Sequence, residues 1–222
     1  MISLRLITVI LLNFYLFSLQ SQEIKNHNNF TVVIDPGHGG KDPGAVSNGF
    51  YEKIIALNTS LKLGQLLQDN GINVIYTRDK DKFVNLLERA NIANKSDAQL
   101  FISIHCNYHT SQAYGAETFV LGLHANQRNF EVAKKENSVI FFEDDYESAY
   151  AGFDPNNPES VIGLTLMQEE YLDQSIIAAS YIQNGFVNRL NRKNRNVKQA
   201  GFIVLKSTYM PSVLIELGFL SN

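Results

Sequence analysis

Short apolar, β-branched runs alternate along this chain with stretches whose apolar positions recur every three to four residues. Residues 31–34 (TVVI) form such a run and end in the loop Asp35-Pro36-Gly37-His38-Gly39-Gly40. Over residues 52–69, Ile54, Leu57 and Leu61 share one helical face, and Asn70-Gly71 closes the segment as a C-terminal glycine does. Residues 72–77 (INVIYT) read as a strand and 84–94 as a helix. Residues 100–104 (LFISI) have the composition of a strand buried on both faces, and 116–121 read as another strand. The pattern turns helical again over 161–190, and 201–205 (GFIVL) and 212–217 (SVLIEL) both have buried-strand composition. Strands alternating with helices predict a single α/β domain, residues 30–222, with a largely parallel sheet covered by helices on both faces. One more helix is expected to cover the last strand; without it either the domain is truncated or an edge is left bare.

Two segments depart from this rhythm. Residues 123–160 are polar and acidic, with Glu143-Asp144-Asp145-Tyr146-Glu147 near the centre, and read as an insertion that covers something or moves. At the start, Arg5 precedes an apolar run over 6–17 and then the stretch Ser18-Leu19-Gln20-Ser21-Gln22. That layout is expected of a secretory signal peptide over residues 1–22, against the alternative of an uncleaved N-terminal anchor; the run is short for a span of about 20 residues. Cleavage would leave no stable membrane span and place the protein in the periplasm or outside the cell.

Composition sharpens the class. Of 222 residues, 45% are hydrophobic and 18% charged, which suits a packed core rather than disorder. The net charge of −3 gives no global basic field for nucleic acid. The densest basic stretch, 189–198 (RLNRKNRNVK), reads as a solvated helix end and loop. Cys106 is the one cysteine, so no internal disulfide forms and burial, helped by a bound metal, must hold an exported core.

His38, Glu52, His105 and Glu216 each fall at or just after the C-terminal end of an expected strand, the edge where open α/β sheets bind ligands. Two histidines and a carboxylate make a catalytic zinc set with a fourth position for water. Glu216, in the apolar context LIELGF, fits a carboxylate that takes a proton rather than a metal. Their spacing is not the local HExxH pattern, so the residues alone leave a second reading open. In that reading His38 is a turn residue, Glu52 a helix-start carboxylate favoured by the macrodipole, and His105 a strand-end histidine.

The blocks VVIDPGHGGKDPGAV, YEK, VIYTRDKD, LLERANIAN, LFISIHCN, GFIVLK and PSVLIELGFLSN occur in this order from Val32 to Asn222. Together they resemble the zinc-dependent N-acetylmuramoyl-L-alanine amidases of the Amidase_3 type. The resemblance implies a mixed, mostly parallel sheet flanked by helices. It implies a Zn2+ cofactor held by His38, Glu52 and His105, with Glu216 as the catalytic carboxylate. It implies peptidoglycan as substrate, cut at the amide between the lactyl group of N-acetylmuramic acid and L-alanine, in wall remodelling or daughter-cell separation. Another zinc peptidase or amidohydrolase of the envelope, and a non-catalytic peptidoglycan-binding module, are the competing readings; the presence of all four residues argues against the last.

Neighbouring residues carry weaker expectations. Cys106 is either a thiolate metal ligand or a small buried strand-end residue; it should point away from the site, because adjacent strand side chains face opposite ways. His109 reads as an outer or surface residue, as do His27 and His124. Arg78 and Arg89 would pair with Asp79, Asp81 or Glu88, or meet acidic groups of the stem peptide. In relatives that act in cell division, a helix inserted at the position of 123–160 covers the zinc until a partner protein removes it. By that resemblance Glu136 is the first candidate for an autoinhibitory residue and Glu143 the second, against the alternative of a solvated acidic loop.

Overall fold

The computed structural model describes residues 30–123, 126–157 and 169–222. The expected signal segment, His27, His124 and the start of the last long helical pattern lie outside them. A six-stranded sheet runs in the order β4-β1-β5-β8-β6-β7, built from β1 (Thr31–Pro36), β4 (Asn73–Tyr76), β5 (Leu100–Asn107), β6 (Ala116–Leu121), β7 (Asn194–Ala200) and β8 (Ser212–Phe219). β4, β1, β5 and β8 are parallel, β6 is antiparallel to β8, and β7 is parallel to β6. The sheet is therefore mixed and mostly parallel. A two-stranded hairpin, β2 (Val46–Ser47) and β3 (Phe50–Tyr51), leads into the first helix.

Alternation along each strand divides the core into two layers. Val32, Ile34, Ile102, Ile104, Val120, Val213 and Ile215 face one side, where Leu63 and Leu67 of α1 (Glu52–Asp69) and Ala179, Ile182 and Phe186 of α5 (Glu169–Asn188) cover them. Val33, Phe101, Phe119 and Leu214 face the other. They pack against α2 (Leu86–Asn94), α3 (Gln127–Asn137), the 3-10 turn Ser138–Phe142 and α6 (Ile203–Lys206). A short α4 (Tyr146–Ala149) precedes α5 in chain order. Helices thus flank both faces, as expected. No helix among the described residues is long and apolar enough to cross a membrane.

Three expectations are corrected. GFIVL over 201–205 is not a strand: the chain bends there and forms α6. A short apolar run cannot distinguish a buried strand from a buried helical turn. The strand lies just before it, as β7, inside the basic stretch read as solvated loop; an edge strand tolerates charges that would be costly in a central one. No bare edge follows the final run either, because β8 sits between β5 and β6 in the sheet interior.

Candidate metal centre

β1, β5 and β8 run parallel, so their C-terminal ends share one edge of the sheet. Register sets which side chains meet there. His105 on β5 is the partner of Glu216 on β8, and Glu216 is the partner of Glu117 on β6, so all three point to the same face. That face is the one covered by α2 and α3. Cys106 points to the other face, as expected, and burial raises its thiol pKa above the usual range with Glu52 and Glu216 adding to the effect. A register irregularity between His105 and Asn107 breaks the ladder beside the site.

His38 enters from the loop after β1 with a left-handed backbone (φ 60°), a conformation that costs a non-glycine residue energy. Two fully buried arginines hold it. Arg78 donates to the carbonyls of Pro36 (2.9 Å), Gly37 (2.7 Å), Lys53 (2.8 Å) and Lys80 (3.1 Å). Arg89 donates to the carbonyls of Val84 (3.0 Å), Pro36 (2.7 Å) and His38 (2.7 Å), and pairs with Asp35 at 2.8 Å. Arg78 forms no ion pair with Asp79, Asp81 or Glu88, and both guanidinium groups are spent on the His38 loop rather than on solvent or substrate. Gly37 is required by close approach, because a Cβ there would collide with the His105 ring. Gly44 combines a positive φ of 65° with a Cβ position that would strike His38 and Glu52.

Glu52 opens α1, with both oxygens fixed by backbone amides: Ala45 N–H donates to Oε2 (2.7 Å) and Cys106 N–H to Oε1 (2.9 Å). Glu52 Oε1 lies 3.1 Å from His38 Nε2 and 3.2 Å from His105 Nδ1. Glu136, from the last turn of α3, places Oε2 3.0 Å from His38 Nε2 and 2.9 Å from His105 Nδ1. One ligand atom from each of His38, Glu52, His105 and Glu136 lies within 4.8 Å of the others, and all four residues are buried. Asp42, which sequence reasoning missed, takes His38 Nδ1 at 2.7 Å and so turns Nε2 toward the cluster. The signal was available: Asp42 sits four residues after His38 in the same glycine-rich block.

The donor set fits a divalent metal. A histidine held by a carboxylate on one ring nitrogen, with the other facing two more carboxylates, is how metal-ligating imidazoles are oriented. His38 Nε2 and Glu136 Oε2 are buried without a hydrogen bond in the described structure, although they lie 3.0 Å apart. Burial lowers the histidine pKa values, but the carboxylates outweigh it. Glu52 and Glu136 take His38 well above its usual range, and Glu136 with Glu52 takes His105 to about 9. A site that draws protons onto two imidazoles is one in which a cation replaces those protons.

Glu216 behaves differently. It is fully buried, has no hydrogen-bond partner on either oxygen, and lies outside the four-residue cluster. Burial, then the charges of Glu136 and Glu52, push its carboxyl well above the usual range. Lys135 donates to Glu136 Oε1 (2.9 Å) and approaches Glu52 Oε2 (3.4 Å). Glu143 is not in the cluster: it accepts from the N–H of Leu86 at the start of α2 (3.0 Å) and from the Tyr150 hydroxyl (2.9 Å). His109 stays at the surface, where Ser111 N–H donates to its Nδ1.

Residues 32–222 match the family Amidase_3, N-acetylmuramoyl-L-alanine amidase. N-acetylmuramoyl-L-alanine amidase AmiA of Escherichia coli is 33% identical over 203 residues, 89% of this chain and 68% of its own. The crystal structure of an N-acetylmuramoyl-L-alanine amidase from Clostridium difficile superposes with a TM-score of 0.57 at 28% identity, over 87% of this chain and 81% of that one. The CwlD amidase from Clostridioides difficile, solved in complex with the GerS lipoprotein, gives 0.53 at 28% identity, over 87% and 84%.

Proposed function

Because this chain belongs to the N-acetylmuramoyl-L-alanine amidase family, we propose that it cuts peptidoglycan with a zinc ion held by His38, Glu52 and His105. The bond hydrolysed is the amide joining the lactyl group of N-acetylmuramic acid to L-alanine. Bound at these ligands, zinc would supply a Lewis acid for the scissile carbonyl and acidify water. Asp42 fixes the His38 tautomer, and the Ala45 and Cys106 amides fix the Glu52 carboxylate, so the ligands need no rearrangement. Glu216 takes the proton of the attacking water and returns it to the leaving amine. Its raised pKa suits a group that must both accept and release a proton.

The observation that carries this reading is the meeting of two imidazoles and two carboxylates, with a further carboxylate left unpaired beside them. Family membership favours the amidase over another envelope peptidase, and the full ligand set opposes a non-catalytic binding module. Digestion of purified peptidoglycan followed by end-group analysis tests it. New L-alanine amino termini should form without new reducing sugar ends. Chelation should abolish the activity and zinc restore it. Reducing ends alone, or activity indifferent to chelator, would overturn it.

In this reading Glu136 fills the fourth position that water and substrate need, and α3 acts as an autoinhibitory cover. A partner protein that shifts α3 would then switch the enzyme on; the complex of the similar CwlD amidase with a lipoprotein supports a role for such partners. The substrate places the protein outside the cytoplasm, in the periplasm or beyond, where it serves wall remodelling or daughter-cell separation.

A further inference from the structure

The sheet face that carries His105 and Glu216 continues to Glu117, and there the charge balance changes sign. Glu117 is fully buried. Arg128 at the start of α3 clasps both its oxygens (2.6 and 3.0 Å), and Asn107 donates to Oε1 (2.8 Å). Those contacts already neutralise and satisfy the carboxylate. Two more cations from β7 nevertheless crowd it: Lys198 donates to Oε2, and Arg195 Nε reaches Oε2 at 3.3 Å. The three side chains are 34%, 19% and 16% exposed for Arg128, Arg195 and Lys198, so solvent reaches each of them. One carboxylate therefore faces three cations. Burial holds Lys198 below its usual range against the pull of Glu117, and repulsion from Arg128 and Arg195 adds to it. An anion would relieve this crowding.

Position gives the anion an identity. Glu117 is two strands from His105 through Glu216, about 10 Å at ~4.8 Å per strand. An extended peptide advances at most ~3.6 Å per residue, so a chain leaving the scissile amide at the metal reaches this cluster within its first two or three residues. Arg78 and Arg89, the other arginines weighed for acidic groups of the substrate, are buried in the His38 loop and cannot serve.

We propose that Arg195 and Lys198 form a carboxylate-binding subsite for the stem peptide, taking the free α-carboxylate of the glutamate that follows the L-alanine. The inference rests on the amidase reading of the adjoining metal centre. Charge-assisted donors of this kind discriminate a carboxylate from its amide. Glu117 sets the two side chains in place and limits the affinity, so that product can leave.

The test compares two probes with the zinc-loaded full chain: N-acetylmuramoyl-L-alanyl-γ-D-glutamyl-L-lysine, and the same muramyl tripeptide with the glutamate α-carboxylate converted to the amide. The native chain should favour the free acid in kcat/KM by about 10-fold, the low end of what a hydrogen bond to a charged group provides. In Arg195→Gln/Lys198→Gln the ratio of kcat/KM for the two probes should fall to about one. Arg195→Lys/Lys198→Arg should restore most of the preference. Arg128 and Asn107 still satisfy Glu117 in the glutamine variant, and its thermal melt verifies the fold. No preference in the native chain, or a preference that survives in the double glutamine variant, overturns the subsite. If neither probe is cleaved by the native chain or by Glu136→Ala, which frees the metal's open position, the amidase reading fails separately. Calorimetry of the sugar-free tripeptide acid and amide against the native and variant chains then decides the subsite: tighter acid binding lost in the variant supports it, and equal binding refutes it.

Discussion

Glu216 and Glu136 are both buried in one field of charge, yet they are set to opposite states. Lys135 and the two imidazoles overcome the burial of Glu136 and keep it well below the usual carboxylate range, whereas Glu216 has burial and two acidic neighbours against it and is pushed up. Glu216→Gln should therefore retain metal and lose roughly 10²–10⁴-fold in kcat, the usual contribution of a positioned acid–base group. Metal content by atomic absorption and turnover of peptidoglycan check this; full activity in the variant would remove the proton-transfer assignment. Glu136→Ala should retain the three remaining ligands and raise basal activity in the absence of any partner. An unchanged rate in the purified variant would argue that α3 does not block the site. That Glu216 stands apart was legible, because a charged residue in an apolar strand needs a reason. The position of Glu136 was legible from resemblance alone, since nothing in KKENSV separates a solvated helix from one whose last turn is pressed into a site.

At the scale of elements, α3 lies within residues 123–160, which the sequence marks as an insertion, and it packs into the core. Val132, Ala133, Val139 and Ile140 are buried in the layer over Phe119 and Leu214. Asn137 fastens the end of α3 to the start of α6 and the chain just before it: its Nδ2 donates to Gly201 O (2.7 Å) and its Oδ1 accepts from Ile203 N–H (2.9 Å). Asn137→Ala leaves both buried backbone groups unpaired, which should cost about 1–3 kcal/mol. Urea unfolding measures that loss; if the reading of α3 as a cover is right, the same variant gains basal activity because Glu136 is held less firmly. A midpoint equal to that of the native chain would show that the asparagine clasp does not hold α3. Glu143 makes a comparable clasp to α2 through Leu86, which explains an acidic residue in a buried position without involving the metal centre.

For the whole molecule, one ionic knot links the sheet to the site. Asp35, inside β1, accepts from Arg89 (2.8 Å), Thr77 (2.6 Å) and Ser103 (2.7 Å). Burial would raise its pKa, but Arg89 and these hydrogen bonds prevail and lower it. A depressed carboxylate stabilises the fold fully above its unfolded pKa, about 3.9, and loses that contribution as pH falls toward the folded value. Melting temperature should therefore drop below about pH 4, and Asp35→Asn should be less stable near neutrality with a shallower acid decline. A variant whose acid profile parallels the native one would exclude Asp35 as the source. The sequence by itself determined the alternation of strands and helices and the glycine-rich loop, because strand periodicity is a local property of the chain; it singled out His38, Glu52, His105 and Glu216 as a set only through the resemblance of its ordered blocks, and the fold brings the first three together with Glu136. Only the tertiary structure decided that β8 is an interior strand, that a basic stretch is the edge strand β7, that Asp42 orients His38, and that Arg78 and Arg89 serve the loop rather than substrate. Those facts depend on which distant segments become neighbours, and sheet order and register are set by packing across the whole core rather than by any one segment's pattern.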